Sequence, residues 1–209
     1  MACDDITLVG LSRLNACENN MGGVKTIYIC PAKDVVKINA KRKATPTDQT
    51  DFVTIGSSTM DGKAIECVEG KGFVKIYCAE DMGELKYASQ GTIVGGRSLK
   101  ATLDIFNPGF GRAGLGFISY FNNADAIIVV KLNNGTYHLL GDTDRGALLA
   151  EGNEHTSGKA TTDNIGINPV FEYNEPYAQL FWEDFDPEDE THGIPIISAS
   201  TSQPAQSGS

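Results

Sequence analysis

Residues 109–114, Gly109-Phe110-Gly111-Arg112-Ala113-Gly114, spell G-x-G-x-x-G. That spacing lets a backbone approach a pyrophosphate at a helix N-terminus, so it is the first candidate for chemistry. The chemistry needs a parallel strand-helix-strand unit with a ribose-binding carboxylate closing the second strand. The next strand here carries Lys131 in that region and runs into Asn134-Gly135, a hairpin signal. An antiparallel setting of this kind predicts a glycine-rich loop and no bound nucleotide. The second candidate is Trp182 to Glu190, with six carboxylates in nine residues. Calcium favours several oxygen ligands, but the D-x-[DN]-x-[DN]-G order of a calcium loop is missing. A solvated acidic segment is expected, with a partner-facing patch as the functional alternative.

Nucleophilic catalysis needs Ser or Cys within reach of a base, and neither a G-x-S-x-G elbow nor a local Cys and His signature occurs. His138 alternates within a strand, His155 sits in a loop-like EGNEHTSG, and His192 follows the acidic run. Five cysteines, Cys3, Cys17, Cys30, Cys67 and Cys78, form no C-x-x-C pair and lie far from the histidines, against a zinc site. With no secretion-signal pattern, reduced thiols are expected. Cys67 and Cys78 flank KGFVKIY, where two hairpin strands could face each other. Burial as small apolar side chains is expected there, with a bridge on oxidation as the alternative. No catalytic, cofactor-binding or metal-ligating residue is assigned, and no cofactor.

The charge balance is 17 Lys and Arg against 27 Asp and Glu, a formal net of -10. Tight nucleic-acid binding needs clustered cations and is therefore disfavoured. An acidic surface that lines a path for DNA without gripping it is compatible with the charge. Lys41-Arg42-Lys43 is a local basic exception. It reads as a charged loop or as an ionic contact with an acidic patch on a neighbouring subunit.

The elements that must position these residues are mostly strands. With 209 residues and 23 glycines, one β-rich body with flexible ends is expected. VKTIYICP at 24–31 predicts a first strand, and residues 40–51 a solvated loop. FVTIG, KAIECVEG, KGFVKIYCAE and ELKYASQ follow as strand pieces separated by turn residues. SLKATLDIF at 98–106 alternates cleanly as a half-buried strand. Residues 110–122 form the helix candidate, with Leu115, Phe117, Ile118, Tyr120 and Phe121 on one side. AIIVVKLNNGTYHLLG, 126–141, predicts a hairpin through Asn134-Gly135, and 168–172 a further strand. The divisions are an N-terminal arm, 1–22, a β-rich body, 23–185, and an acidic, low-complexity C-terminal extension, 186–209.

This order resembles tail-tube-like virion proteins of tailed bacteriophages, most clearly over residues 97–185. AIIVVKLNNGTYHLLGD looks like the late hairpin of that family, and SGKATTDNIGINPVFEYNEPY like the small-residue segment leading into a last strand. CENNMGGVKTIYICPAKDV resembles its start. The resemblance implies a mainly β fold: an antiparallel β-sandwich or small barrel with one flanking helix. It implies self-assembly into six-fold rings that stack as a tail or neck conduit. Partners would be neighbouring phage tail or neck proteins, with the genome passing through unbound. The protein would be assembled in the host cytoplasm, reside in the virion and need no membrane. No catalytic residue comes with this family. The competing expectation is a monomeric carbohydrate- or host-binding β module stacking ligand on Tyr173, Tyr177, Phe181 and Trp182. An enzyme is the third and weakest alternative.

Overall fold

A computed structural model describes residues 21–93, 96–151, 153, 155–160 and 163–197. The chain opens with strand β1 (Val24–Pro31), a single 3-10 turn (Ala32–Asp34) and β2 (Val35–Ile38). Then come helix α1 (Gln49–Val53), β3 (Thr54–Ile55), β4 (Ile65–Cys67), β5 (Val74–Ile76) and β6 (Glu84–Gln90). β7 (Ser98–Asp104) and β8 (Asn107–Pro108) lead into α2 (Arg112–Phe121). β9 (Ala126–Leu132), β10 (Tyr137–Leu140), β11 (Leu148–Leu149), β12 (Gly166–Ile167), β13 (Val170–Glu175) and β14 (Leu180–Phe181) complete it.

β9 is apolar over most of its length because both of its faces are buried, as is usual for a sheet's central strand. It sits inside a six-stranded sheet ordered β3-β14-β10-β9-β1-β5, antiparallel except for the β14–β3 pair. Ile128 and Val130 point to one side with Ile27 and Ile29 of β1, while Ile127 and Val129 point to the other with Tyr28 and Cys30. The first side meets a four-stranded sheet ordered β11-β13-β7-β6 through Ala101, Leu103, Phe171 and Tyr173. The two sheets therefore pack face to face as a sandwich, and among the described residues neither closes into a barrel. The second side is covered by β2, β4 and the segment 182–185, whose Trp182 and Phe185 rings pack on Phe181 of β14, with Phe185 also meeting Tyr137 of β10.

α2 is the flanking helix, and packing holds it despite its glycines. Phe121 and Phe117 meet Phe171 edge-on, with ring centroids 5.9 and 6.4 Å away. Gly114 is needed for close approach, since a Cβ there would lie 3.2 Å from Ile167 of β12. The expected one-sided aromatic crowding is only partly realised: Leu115 and Tyr120 are exposed.

Three boundaries differ from expectation. Phe52 and Val53 join α1 rather than a strand, because the Asp48 side chain accepts hydrogen bonds from the Thr50 and Asp51 amides and caps a helical turn. The turn of the 126–141 hairpin is longer than a two-residue Asn-Gly turn. Leu132 donates to the Thr136 carbonyl, and only Gly135 takes positive φ, at 95°. The C-terminal extension does not begin at Asp186: Ile194 is buried, Ile196 bridges Phe73, and the Phe73 amide donates to the Pro195 carbonyl at 2.7 Å. Residues 186–197 are thus a strap on the body. Most of the expected N-terminal arm, with Cys3 and Cys17, lies outside the described residues, as do residues 198–209.

Candidate functional site

The two sheets treat their edges differently. On the six-stranded sheet, β3 is covered by Arg42, which bridges Ile55, and by the Gly56 amide donating to the Lys41 carbonyl at 3.0 Å. At the other end β5 is flanked by the strap, where the Ile197 amide donates to the Phe73 carbonyl at 2.9 Å. On the four-stranded sheet, β6 pairs with β7 over its whole length, Glu84 opposite Asp104 to Gln90 opposite Ser98. Its other side pairs with no strand among the described residues. Seven consecutive residues with no proline and no bulge there present a regular row of backbone groups. The opposite edge is covered over only two residues, where Leu148 and Leu149 of β11 meet Glu172 and Phe171, and the Tyr173–Glu175 stretch of β13 has no strand partner on that side among the described residues.

The face of this sheet turned away from the core is polar. Alternation places Glu84, Lys86, Lys100, Asp104 and Glu172 there, because Leu85, Tyr87, Ala101, Leu103 and Phe171 pack inward. Two lysines stand against three carboxylates, with Lys86 bound to Glu84 and Lys100 to Glu172, each at 2.6 Å. The face is close to neutral and internally paired, which leaves few cations to hold a phosphate backbone.

The basic triplet does converge on a surface feature. Lys41, Arg42 and Lys43 line a cleft of about 480 Å³ at the β3 end of the six-stranded sheet, with Lys37, Tyr177 and Gln179. Arg42 lies over two rings that touch edge to face, its guanidinium carbon 4.7 Å from the Phe52 centroid and 4.3 Å from that of Tyr177. Lys43 is paired with Asp51 at 2.8 Å, and that lysine, with the Thr47 amide and hydroxyl, lowers the Asp51 carboxyl to about 2. Lys37, Lys41 and Arg42 have no carboxylate within ion-pair distance among the described residues. Asp142 and Asp144 form the far wall, and Asp142 accepts from the Thr143 amide at 2.6 Å.

A buried polar cluster lies between the sheets. The Tyr87 hydroxyl is 3.0 Å from His138 Nδ1, and His138 Nε2 is 3.2 Å from Thr136 Oγ1, which donates to Asn134 Oδ1. A neutral imidazole fits, accepting from the tyrosine and donating to the threonine. Burial holds His138 down at about 4, and it pushes the Tyr87 hydroxyl far up. Glu175, 1% exposed, is pushed up to about 7 by burial; Oε2 accepts from Gln179 Nε2 at 3.2 Å, while Oε1 meets no donor. The cluster contains no Ser or Cys nucleophile beside the base, so its arrangement is that of a polar seam in a core.

The remaining sequence candidates disperse. β7 and β9, on either side of the G-x-G-x-x-G segment and α2, belong to different sheets, so no parallel unit exists to seat a pyrophosphate. In the acidic run, Asp186 accepts from the Glu188 amide and Asp189 from the Thr191 and His192 amides, so these carboxylates close turns. Among the described residues no group of His, Cys, Asp and Glu could hold a metal ion. His155 Nδ1 accepts from the Asn168 amide, 3.2 Å away. Cys67 is not across from Cys78. Its thiol meets Cys30, and that contact together with burial pushes the Cys30 thiol up, while Cys78 lies in the core on the opposite side of the six-stranded sheet. Of the four aromatics expected to form a carbohydrate platform, Tyr173 and Phe181 are buried, Trp182 is half-buried on the core, and Tyr177 lines the basic cleft.

Sequence reasoning did not single out the bare β6 edge, Lys37 or Glu175. Only the alternation of ELKYASQ carried a signal for the first. No protein-family model matches this sequence, and no curated protein does.

Proposed function

We propose that this chain is a structural subunit of a tailed-bacteriophage virion. Copies join through the edges of the four-stranded sheet into a ring or stacked tube in the tail or neck conduit for DNA. The observation that carries the reading is the bare edge of β6, seven residues long, whereas the edges of the other sheet are two or three residues long and flanked by Arg42 and Lys41 at β3 and by the strap at Phe73, just before β5. A long regular edge is a template for another strand, and a protein that leaves one uncovered invites pairing with another chain. The Tyr173–Glu175 stretch of β13 offers a second bare edge on the same sheet, so contacts from β6 to β13 would be head-to-tail and could close a ring. The resemblance to tail-tube-like proteins supplies the virion setting, the six-fold ring and the neighbouring tail or neck proteins. A near-neutral, self-paired outward face and a net charge of -10 suit a conduit that DNA traverses without binding. The role is architectural. Burial of Tyr173 and Phe181 takes away two of the four rings on which a carbohydrate-binding module would stack its ligand, which favours the architectural reading.

Proline substitution on β6 tests this directly. Of two neighbouring residues on an edge strand, one N–H points into the sheet and one outward, so one of Ala88→Pro and Ser89→Pro leaves the β7 ladder intact. The tolerated variant is expected to keep the wild-type circular dichroism and melting temperature but to stay monomeric by mass photometry. Wild-type protein should give rings or tubes in negative stain. Assembly by the folded proline variant at the wild-type level would sink the edge-pairing reading.

A further inference from the structure

A basic cleft and an acidic strap both lie against the six-stranded sheet without pairing with each other among the described residues. At the β3 end lies the basic cleft, where Lys37, Lys41 and Arg42 have no carboxylate partner among the described residues. Glu66, cross-strand from Lys37, is engaged elsewhere, accepting from Asn39 Nδ2 at 2.6 Å. At the β5 end lies the acidic part of the strap. Glu188 approaches Tyr28 of β1 at 3.5 Å and Lys75 of β5 at 3.9 Å, and the segment after it reaches β4, where the Ala64 amide donates to the His192 carbonyl at 3.0 Å. β14, β10 and β9 intervene between β3 and β1. With strands about 4.8 Å apart, Glu188 lies roughly 20 Å across the sheet from β3. The ends of the strap come nearer, since Phe185 stacks on Phe181 of β14 and the Ala64 carbonyl, on the residue that bonds His192, accepts from the Ala40 amide of the cleft wall. Even so, Lys37, Lys41 and Arg42 of the cleft have no carboxylate within ion-pair distance among the described residues.

We infer that the cleft receives the acidic strap, Asp186 to Glu190, of a second copy of this chain. The inference rests on the self-assembly reading and adds a second contact to it, on the other sheet. Charge complementarity selects the occupant. In a chain with a formal net charge of -10, a cleft with unpaired cations fits a carboxylate-rich segment, and Asp186, Glu188, Asp189 and Glu190 are all exposed. Asp186 and Asp189 have their turn geometry fixed by hydrogen bonds from backbone amides, so the ridge is already shaped before docking. Arg42 is likewise held in place over Phe52 and Tyr177, which presents a fixed cation at the cleft. The ring reading calls for the heterologous form of this contact, in which each copy uses its cleft on one neighbour and its strap on the other. Repetition of such a head-to-tail contact gives a closed ring or an open filament, whereas reciprocal use across a two-fold axis would stop at a dimer, a species that mass photometry separates from rings. Asp142 and Asp144 on the far wall oppose an acidic ridge seated too deeply, which favours docking along the Lys37 and Lys41 side.

Charge reversal with mixing tests the contact in the full chain. K37E/K41E reverses the cleft and E188K/E190K the ridge, with Arg42 and the turn-closing aspartates left in place. Each variant alone is expected to lose at least roughly tenfold in the assembled fraction by mass photometry at low salt while keeping the wild-type melting temperature. Mixed in equal amounts, they restore complementary contacts in both directions and should co-assemble with the two variants alternating. Wild-type assembly should weaken as salt rises. If wild-type protein assembles and both folded variants assemble equally well, the inference fails while the edge-pairing reading stands, and the cleft is left to an acidic partner of another kind. If each variant is monomeric and the mixture stays monomeric, cleft and ridge do not meet and the inference fails. If wild-type protein is itself a monomer, both readings fall together.

Discussion

Glu175 is a carboxyl enclosed between two sheets with one oxygen unpaired, and His138 is an imidazole enclosed in the same seam. Burial disfavours the charged form of each, which raises the acid and lowers the base. Their effects on stability run in opposite directions with pH. Glu175 rises from an ordinary 4.5 to about 7, so the folded state keeps a proton the unfolded chain has released, and stability falls as pH climbs from 4.5 to 7. His138 falls from 6.5 to about 4, so the unfolded chain binds the proton first, and stability falls as pH drops from 6.5 to 4. Each effect is on the order of 3 kcal/mol over its full window. Between pH 4.5 and 6.5 they offset each other, and single substitutions should uncover them. Glu175→Gln is expected to lose stability steadily as pH falls from 6.5 to 4, and to exceed wild type at pH 8. His138→Gln should show the reverse slope, losing stability from pH 4.5 to 7. Urea titrations across that range check both, and two flat profiles would show that the seam is solvated.

At the scale of elements, packing decides what a glycine is worth. Gly116 lies inside α2, where an added methyl would meet nothing within 4 Å, and its φ is not positive. Gly116→Ala should therefore stabilise the protein by about 0.5–1 kcal/mol through helix propensity and a less flexible unfolded chain. Gly72 stands before β5, where a Cβ would collide with the Pro195 carbonyl oxygen. Gly72→Ala should push the strap off Phe73 and cost about 1–3 kcal/mol. Equal melting temperatures for the two variants would refute the strap's part in stability. The same contrast explains what was legible in the sequence. Residues 24–31, 98–106 and 126–141 could be read because alternation and apolar runs are local, and each became a strand or hairpin. The strap could not, since 182–190 reads as solvated acid when its carboxylates are counted. Its fold-back depends on Phe185, Pro187 and Ile194, scattered apolar anchors whose partners lie far away in the chain. Cys67 was matched to the wrong cysteine for the same reason: β4 pairs with β2, whose position beside β1 and Cys30 is set by tertiary packing. Of the candidate site, Lys41-Arg42-Lys43 was visible as a charge cluster, whereas Lys37 and Tyr177 join it only through the fold.

At the scale of the whole molecule, net charge says less about DNA than the charge on the surface that DNA would meet. If the outward face of the four-stranded sheet lines a conduit, indifference to DNA comes from pairing as much as from excess acid: Lys86 and Lys100 are each held by a glutamate on the same face. Releasing those lysines while removing the acids should convert the face into a phosphate-binding one, because affinity for a DNA backbone grows with each cation free to displace a counterion. The triple substitution E84K/D104K/E172K replaces all three carboxylates among the five charged residues of that face and leaves five lysines. All three side chains lie at least partly in solvent, so the fold should tolerate the change. Wild-type protein is expected to show no measurable binding to duplex DNA at about 50 mM salt by fluorescence anisotropy. The variant should bind in the micromolar range and lose that affinity by about 200 mM, the steep salt dependence expected of phosphate contacts. The same three reversals placed on the acidic strap would change net charge equally, so DNA binding by that control to the same extent would mean that overall charge, and not this face, governs passage.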